Sequence, residues 1–185
     1  MIEGMIKDAR GRMEKSLEST KSELSKIRTG RASLTLVDTV RVDYYGTPTP
    51  LKQVANLSIP EPRMIIIQPW DRSLVSAIEK AILKADIGIT PSSDGVVIRL
   101  PIPSLTEERR KELVRLVHQL GEEGKVSVRN IRRDFLDGIK KAQKDKKISE
   151  DEEYNSGIDF QKITDEYVKK IEEVIKVKEK EIMEV

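Results

Sequence analysis

The chain lacks cysteine, and its 185 residues include a single histidine. Without thiols it can form no disulfide, thiolate nucleophile or zinc–thiolate site. His118 lies among Leu116, Val117 and Leu120, where a packed or surface histidine is more common than a general base without a partner. The sequence also contains no phosphate-binding GxxxxGK[ST] or GxGxxG loop and no HExxH motif. We therefore expect no catalytic residue, no metal ligand and no cofactor.

Aromatic residues and long apolar runs are also scarce. No apolar run approaches the roughly 20 residues that cross a bilayer, and the first residues lack the basic and then apolar pattern of a secretory signal. We expect a cytoplasmic protein without a membrane partner. Aromatics make up only 4% of the chain. For the most conspicuous of them, Tyr44, Tyr45 and Trp70, packing in the core or at an interface is favoured over stacking on nucleic-acid bases.

Charge is abundant and unevenly distributed. Charged residues make up 36% of the chain, against an average of about 25%, which is typical of long exposed helices. Residues 107–147 contain 13 basic and 8 acidic residues, whereas residues 148–185 contain 6 basic and 12 acidic residues. A basic helix beside an acidic helix suits mutual packing, and the basic surplus also suits a polyanionic partner.

Three segments have the three- and four-residue apolar spacing of amphipathic helices. The first begins at Ile2 and is predicted to run to Thr29–Gly30, where Gly30 ends it. The second begins after an N-cap at Thr106 and runs about 40 residues toward Lys147, with Gly121, Gly124 and Gly138 each weakening it by up to about 1 kcal/mol. The third begins at a capping signal around residues 148–152. Its predicted apolar face contains Tyr154, Ile158, Ile163, Tyr167, Ile171, Ile175 and Ile182.

Between the first two helices the spacing changes to the period of β-strands. Alternation predicts strands over 40–45, 55–59 and 96–100, and an apolar run bounded by prolines predicts a more buried strand over 64–67. Residues 45–50 and 92–95 are predicted turns, and residues 73–85 are predicted to form one helix.

These elements predict an α+β protein. The bundle comprises residues 1–30 and 106–185, and a small β/α/β domain of residues 31–105 is inserted between its first and second helices. Two chain crossings join the bodies, and they comprise Gly30, Arg31, Ala32 and Ser33 on one side and Pro101, Ile102, Pro103 and Ser104 on the other. Two adjacent crossings can act as a hinge. The prolines equally allow a rigid elbow, and the sequence leaves both interpretations open.

Basic residues on the second helix form its most distinctive feature. Arg129, Arg132 and Arg133, which we call the arginine strip, have the i, i+3, i+4 spacing that places them on one helix edge. Lys125 and Lys140 lie within the same third of the circumference. Arginine binds phosphate in a bidentate manner. The strip therefore indicates either RNA or DNA binding or a solvated helix face, and the spacing does not decide between them.

Seven short motifs resemble the ribosome recycling factor family, in that family's order and over nearly the whole chain. They are IRTGRAS at 27–33, VDYYG at 42–46, TPL at 49–51, DG at 94–95, IRL at 98–100, LTEERR at 105–110 and VRNIRRD at 128–134. Two positions differ from the usual family pattern. Leu34 stands where proline is common, which affects the expected stiffness of the hinge, and Arg72 stands where lysine is usual.

The resemblance implies an L-shaped, monomeric protein of transfer-RNA-like dimensions that splits the post-termination ribosome into subunits. Elongation factor G is the implied partner, and it is the protein that hydrolyses GTP. The bundle is then expected to bind large-subunit rRNA through Arg129 and Arg132, with Arg110 and Arg133 as neighbours. The smaller domain is expected to swing and to meet elongation factor G.

Two other classes of function are compatible with the composition. The first is a coiled-coil adaptor or chaperone that binds proteins, and the second is a hydrolase that uses scattered carboxylates. Salt-sensitive binding to ribosomes separates the recycling function from the adaptor, and turnover by the isolated chain is the mark of the hydrolase.

Overall fold

The computed structural model describes residues 1–184, which form two compact units, the first of residues 1–28 and 108–184 and the second of residues 29–107. The helices are α1 (Ile2–Ser25), α2 (Leu51–Val54), α3 (Val75–Lys84), α4 (Glu107–Lys144) and α5 (Glu150–Met183). The strands are β1 (Arg41–Tyr44), β2 (Thr47–Pro50), β3 (Ala55–Glu61), β4 (Met64–Pro69), β5 (Ser92–Ser93) and β6 (Ile98–Pro101). The mixed α+β fold class is confirmed. None of the helices within residues 1–184 is long and apolar enough to cross a membrane.

The first unit is a bundle of α1, α4 and α5. Its core is built from the apolar faces of all three helices, including Met13, Val117, Ile139, Phe160 and Ile171. Ser149 caps α5 as predicted: its side chain accepts a bond from the Glu152 backbone N–H, and the Glu152 carboxylate accepts one from the Ser149 N–H. This reciprocal capping box satisfies two donors that a helix start otherwise leaves without partners.

Two glycines of α4 let the helices approach closely. A Cβ added at Gly121 would lie 1.9 Å from Cδ1 of Ile175 on α5, and one added at Gly124 would lie 2.4 Å from Oγ1 of Thr20 on α1. These residues therefore have a packing role that offsets their low helix propensity.

Helix α1 is shorter than predicted. It ends at Ser25, because the backbone N–H groups of Lys26 and Ile27 bond to carbonyls only three residues back, each at 3.2 Å. This tightening closes the helix before Gly30 is reached. Gly30 has a φ of 78°, in the left-handed region that glycine adopts without strain, so it is a turn residue outside the helix.

The second helix was predicted from an apolar spacing that includes Leu116, and the third from one that includes Tyr154 and Ile158. These three residues are exposed, so their placement on the inner faces of the bundle was wrong. Leu116 is on the flank of α4, and Tyr154 and Ile158 of α5 are exposed, Tyr154 with 72% of its surface accessible. Because Ile158 and Ile163 are five residues apart, they lie about 140° from each other around the helix and cannot share one face. Ser156 and Phe160 occupy the buried face of α5 in their place.

The second unit contains an antiparallel sheet in the order β3-β4-β6-β5 and a separate β1-β2 hairpin. Helix α3 contributes Val75, Ile78 and Ile82 to the core of this unit. Strand β4 lies between β3 and β6, which explains why its residues Ile65 and Ile67 are fully buried. The predicted buried strand over 64–67 is thus confirmed.

The predicted turn over 45–50 was too long. Only Tyr45 and Gly46, with φ of 48° and 82°, form the turn, and Thr47–Pro50 pairs with Arg41–Tyr44 as an antiparallel strand. Two left-handed residues in succession are typical of a tight hairpin turn. The prolines are compatible with this strand because the sheet has only two strands, so each has an unpaired edge that needs no N–H donor.

The other differences between the predicted and the observed elements are small. Residues 72–74 form a 3-10 turn before α3, so the predicted helix over 73–85 has two parts. Ser92–Ser93 pairs with β6 as a short strand, and Val96 lies before β6 in the intervening turn. Pro101 is the last residue of β6.

Candidate RNA-binding face

Helix α4 presents its arginines and its apolar residues on separate sides. Val128, Ile131 and Phe135 are buried in the bundle core, whereas Arg129 and Arg133 are exposed. Within residues 1–184 neither of these arginines forms a hydrogen bond or an ion pair. Both guanidinium groups are therefore available to an external anion.

Arg132 has a different environment from the other two arginines of the strip. It is half-buried, and its Nη1 donates a hydrogen bond to Oε1 of Gln161 on α5. Its Nε atom is buried and has no hydrogen-bond partner within residues 1–184. The Nε2 amide of Gln161 in turn donates to Oδ1 of Asp165 at 2.7 Å. Arg132 is thus oriented across the junction of α4 and α5.

The two lysines predicted on the same side of the helix have different environments. The Lys125 side chain is only 13% exposed, and its Nζ lies 2.5 Å from Oε1 of Glu122 and 3.7 Å from Oε1 of Glu172. The hydrogen bond from Lys125 is the main reason that the pKa of Glu122 is lowered from its ordinary value. Lys125 is therefore paired with acids and does not extend the free cationic surface. Lys140 remains exposed.

Arg110 lies apart from the arginine strip. It precedes Arg129 by 19 residues, which places it about 28 Å along α4 and about 100° around it. It is half-buried, and its Nη1 donates to the backbone carbonyl of Met183 at 3.3 Å. The structure thus does not bring Arg110 together with the other predicted RNA-binding residues.

Arg115 is a further candidate that the sequence analysis missed. It is exposed, and no hydrogen bond or ion pair involves it in the part of the chain that the structure describes. It precedes Arg129 by 14 residues, about 21 Å along the axis and only about 40° around it. The signal in the sequence is the spacing of two heptads between Arg115 and Arg129, which lies outside the cluster at 128–134.

Contacts on both sides fix the segment that carries the arginine strip. Arg12 of α1 forms an ion pair with Asp134 at 3.2 Å, and its Cζ lies 5.4 Å from the centre of the Phe135 ring. The Phe135 ring stacks on Phe160 of α5 with 5.5 Å between centroids. The strip is therefore part of a rigid surface.

The predicted hinge residues occupy the second unit. The backbone N–H of Ala32 bonds to the carbonyl of Pro62 at 2.7 Å, and that of Ile102 bonds to the carbonyl of Arg63 at 2.8 Å. Both crossings are therefore tied to the single turn between β3 and β4. Of the other predicted hinge residues, Ser33 caps the 3-10 turn of 34–37, Pro101 ends β6, and Gly30, Arg31, Pro103 and Ser104 lie outside helices and strands.

The remaining residues that drew attention in the sequence are on the surface. His118 is exposed beside Glu179, with 3.2 Å between Nε2 and Oε2. Trp70 and Tyr45, with 70% and 85% of their surfaces exposed, line a hollow of about 500 Å³ together with Tyr44. They do not pack in the core, and packing at an interface, the other predicted role, stays a prediction. Among residues 1–184 no cluster of three His, Asp or Glu side chains could bind a metal ion.

Comparisons with known proteins agree along the whole chain. The family model described as ribosome recycling factor matches residues 20–183. The ribosome-recycling factor of Natranaerobius thermophilus is 55% identical over 98% of both chains. That of Desulforapulum autotrophicum is 55% identical over the full length of both.

Solved structures give the same result. The solution structure of a ribosome recycling factor aligns with a TM-score of 0.73 and 44% identity, covering 100% of this chain and 98% of the other. A second structure, of the T. thermophilus ribosome recycling factor with E. coli elongation factor G on the E. coli post-termination complex, aligns with a TM-score of 0.64 and 44% identity over 98% of each chain. The chain, with its three-helix bundle and inserted β/α unit, belongs to the ribosome recycling factor family.

Proposed function

We propose that this chain recycles ribosomes after termination. It binds the post-termination ribosome and, together with elongation factor G and GTP, promotes splitting into subunits and release of mRNA and tRNA. Family membership supports this function, as does the relative seen with elongation factor G on the post-termination complex. Ribosome recycling takes place in the cytoplasm, where we place the protein. We propose that it acts as a monomer.

The bundle is the proposed rRNA-binding domain. The observation that carries this assignment is the exposure of Arg129 and Arg133, whose side chains form no hydrogen bond or ion pair within residues 1–184, on a helix whose apolar side is packed. Exposed arginines that already pair with carboxylates contribute little to binding an anion, whereas free guanidinium groups on a rigid helix can bind the phosphates of large-subunit rRNA.

The second unit is the proposed moving domain. Both crossings are tied to the turn at Pro62–Arg63, so a change in a few backbone dihedrals next to that turn can reorient the unit as one body. We place the flexible positions at Gly30 and Arg31 on one side and at Pro103 and Ser104 on the other. Ala32 and Ile102 then move with the second unit.

Recycling by this chain is a mechanical process. The bundle anchors on RNA by electrostatic attraction, and displacement of the second unit by elongation factor G breaks contacts between the ribosomal subunits. The chain itself supplies binding surfaces, and GTP hydrolysis belongs to elongation factor G.

A subunit-splitting assay tests this function. Post-termination ribosomes are mixed with the chain, elongation factor G and GTP, and splitting is followed by light scattering. We expect a loss of scattering that requires all three additions. A variant carrying Arg129→Ala and Arg133→Ala should split slowly, and a Lys169→Ala variant, which loses an exposed charge on α5, should behave as wild type. Absence of splitting by the complete mixture contradicts the proposal.

A further inference from the structure

Arg132 joins two helices of the bundle through a neutral side chain. Gln161 Oε1 accepts its hydrogen bond across the α4–α5 junction. Three other basic side chains instead pair with carboxylates across a junction: Arg12 with Asp134, Arg10 with Glu166 and Lys125 with Glu172. Arg110 donates to the backbone carbonyl of Met183. A carboxylate orients a cation and also cancels its charge, whereas an amide oxygen only orients it.

The amide of Gln161 is itself fixed in one direction. Its Nε2 donates to Oδ1 of Asp165, four residues further along α5, at 2.7 Å. Because Asp165 can only accept, the nitrogen of the amide must face it and the oxygen must face Arg132. The hydrogen bonds from Gln161 to Asp165 and from Arg132 to Gln161 thus orient the guanidinium, and the amide of Gln161 lies between it and the Asp165 carboxylate.

We propose that Gln161 is a positioning residue for RNA binding, which holds the Arg132 guanidinium toward an RNA phosphate without neutralising it. This inference rests on the proposed function of the bundle. Gln161 accepts one Nη1 proton, and no other Nη hydrogen bond of Arg132 is formed within residues 1–184. The remaining Nη protons can therefore bind phosphate oxygens in the bidentate geometry that arginine favours. Asp165 supports the arrangement by orienting the amide.

The decisive variant is Gln161→Glu, which keeps the size of the side chain and the contact with Arg132 but adds a negative charge. We expect the bundle to remain folded, because the attraction of the new carboxylate to Arg132 offsets the lost bond to Asp165 and the repulsion between two carboxylates four residues apart. Affinity for the large subunit should fall, and the dependence of log affinity on log salt should become shallower by about 0.7–0.9, the slope of one phosphate contact. Between 1 M and 0.1 M salt, this change in slope lowers the affinity of the variant relative to wild type by about five- to eightfold.

Two further variants separate positioning from other effects. Gln161→Leu removes the acceptor but leaves the charge of Arg132, so affinity should fall by about two- to fivefold with the wild-type salt slope. Asn155→Asp adds the same charge at an exposed site on α5, about 9 Å along and about 120° around the helix. It should leave affinity and slope unchanged.

The experiment measures filter binding of the full chain to isolated large subunits between 0.05 and 0.3 M salt, with thermal unfolding to verify folding. The positioning role is overturned if Gln161→Glu keeps the wild-type affinity and salt slope while Arg132→Ala weakens the affinity and makes the slope shallower. An equal loss for Asn155→Asp also overturns it, because the effect is then general repulsion. If Arg132→Ala itself binds as wild type, the proposed RNA-binding face fails, and that result is distinct from the first two.

Discussion

The phenol of Tyr167 on α5 donates a hydrogen bond of 2.9 Å to Oε2 of Glu14 on α1. Burial, together with the neighbouring Glu14 carboxylate, raises the pKa of Tyr167 above its ordinary value. Nζ of Lys170 lies 4.5 Å from the centre of the same ring. The contact therefore joins the first and last helices of the bundle through a polar group.

Replacing Tyr167 by Phe tests this contact. The ring remains packed, but the hydrogen bond is lost, so we expect the free energy of unfolding to fall by about 0.5–1.5 kcal/mol. Chemical denaturation followed by far-UV circular dichroism measures it. Tyr154→Phe is the matched control on the same helix, because Tyr154 is exposed and its hydroxyl contributes no bond within residues 1–184. Equal effects of the two variants contradict the prediction.

Adding a methyl group should have opposite effects at two glycines. Gly121→Ala places a Cβ against Ile175 and should destabilise the bundle, since overpacking costs about 1–3 kcal/mol and exceeds the gain in helix propensity of up to about 1 kcal/mol. At Gly11 of α1 a Cβ meets nothing within 4 Å, so Gly11→Ala should stabilise by up to about 1 kcal/mol. Thermal unfolding of both variants measures the difference. Stabilisation by Gly121→Ala is the contrary result.

Asp94 should make the second unit sensitive to acid. Its carboxylate accepts hydrogen bonds from the backbone N–H groups of Val97 and Val96 and from Arg99, and these lower its pKa from 3.8 to about 2. A carboxyl whose pKa is depressed by folding stabilises the folded state above its unfolded pKa, and this contribution is lost as the pH falls. The loss is therefore expected between about pH 4 and pH 2.

Asp94→Asn should abolish that part of the pH dependence. Trp70 is the single tryptophan and lies in the second unit, so its fluorescence during denaturation reports the unfolding of that unit. We expect the variant to be less stable than wild type at pH 6 and to converge with it near pH 2. Parallel curves at all pH values contradict the role of Asp94.

The arginine strip predicts a salt-dependent loss of ribosome binding. Arg129→Ala and Arg132→Ala should each weaken binding to the large subunit by about 1–3 kcal/mol, with a slope shallower by about 0.7–0.9. Both variants should remain folded. Arg110→Ala should leave the salt slope at its wild-type value, because Arg110 donates to the Met183 carbonyl and lies away from the strip. If both strip variants keep the wild-type affinity and salt slope, the arginine strip is a solvated helix face.

The hinge is tested by a covalent lock. The chain has no cysteine, so an introduced pair, one in each unit, contains the only thiols. When the pair is oxidised, ribosome binding should survive, because the strip lies wholly on the bundle, and splitting with elongation factor G should be lost. The reduced form is the control. Full splitting by the oxidised protein points to a rigid elbow.

Local sequence patterns predicted the three long helices, but they could not predict contacts between elements that are distant in the sequence. The capping box at Ser149 and Glu152 is a short-range pattern, and it was confirmed. The strand Thr47–Pro50 was missed because its two prolines read as turn residues when the partner strand is not known. The orientation of Arg132 depends on Gln161, 29 residues away. No spacing rule within α4 predicts which side chains of α5 will face it.

The insertion of a whole unit between α1 and α4 has a consequence for synthesis on the ribosome. Helix α1 emerges before its partners, with Ala9, Met13, Leu17 and Leu24 forming an apolar side, and α4 and α5 follow only after residues 29–107 have been made. At about 5–20 residues per second that interval lasts on the order of 4–16 seconds. The contiguous second unit can fold within this time, while the bundle must wait for α4 and α5. The nascent chain therefore carries an amphipathic α1 without its bundle partners until α4 and α5 have left the exit tunnel.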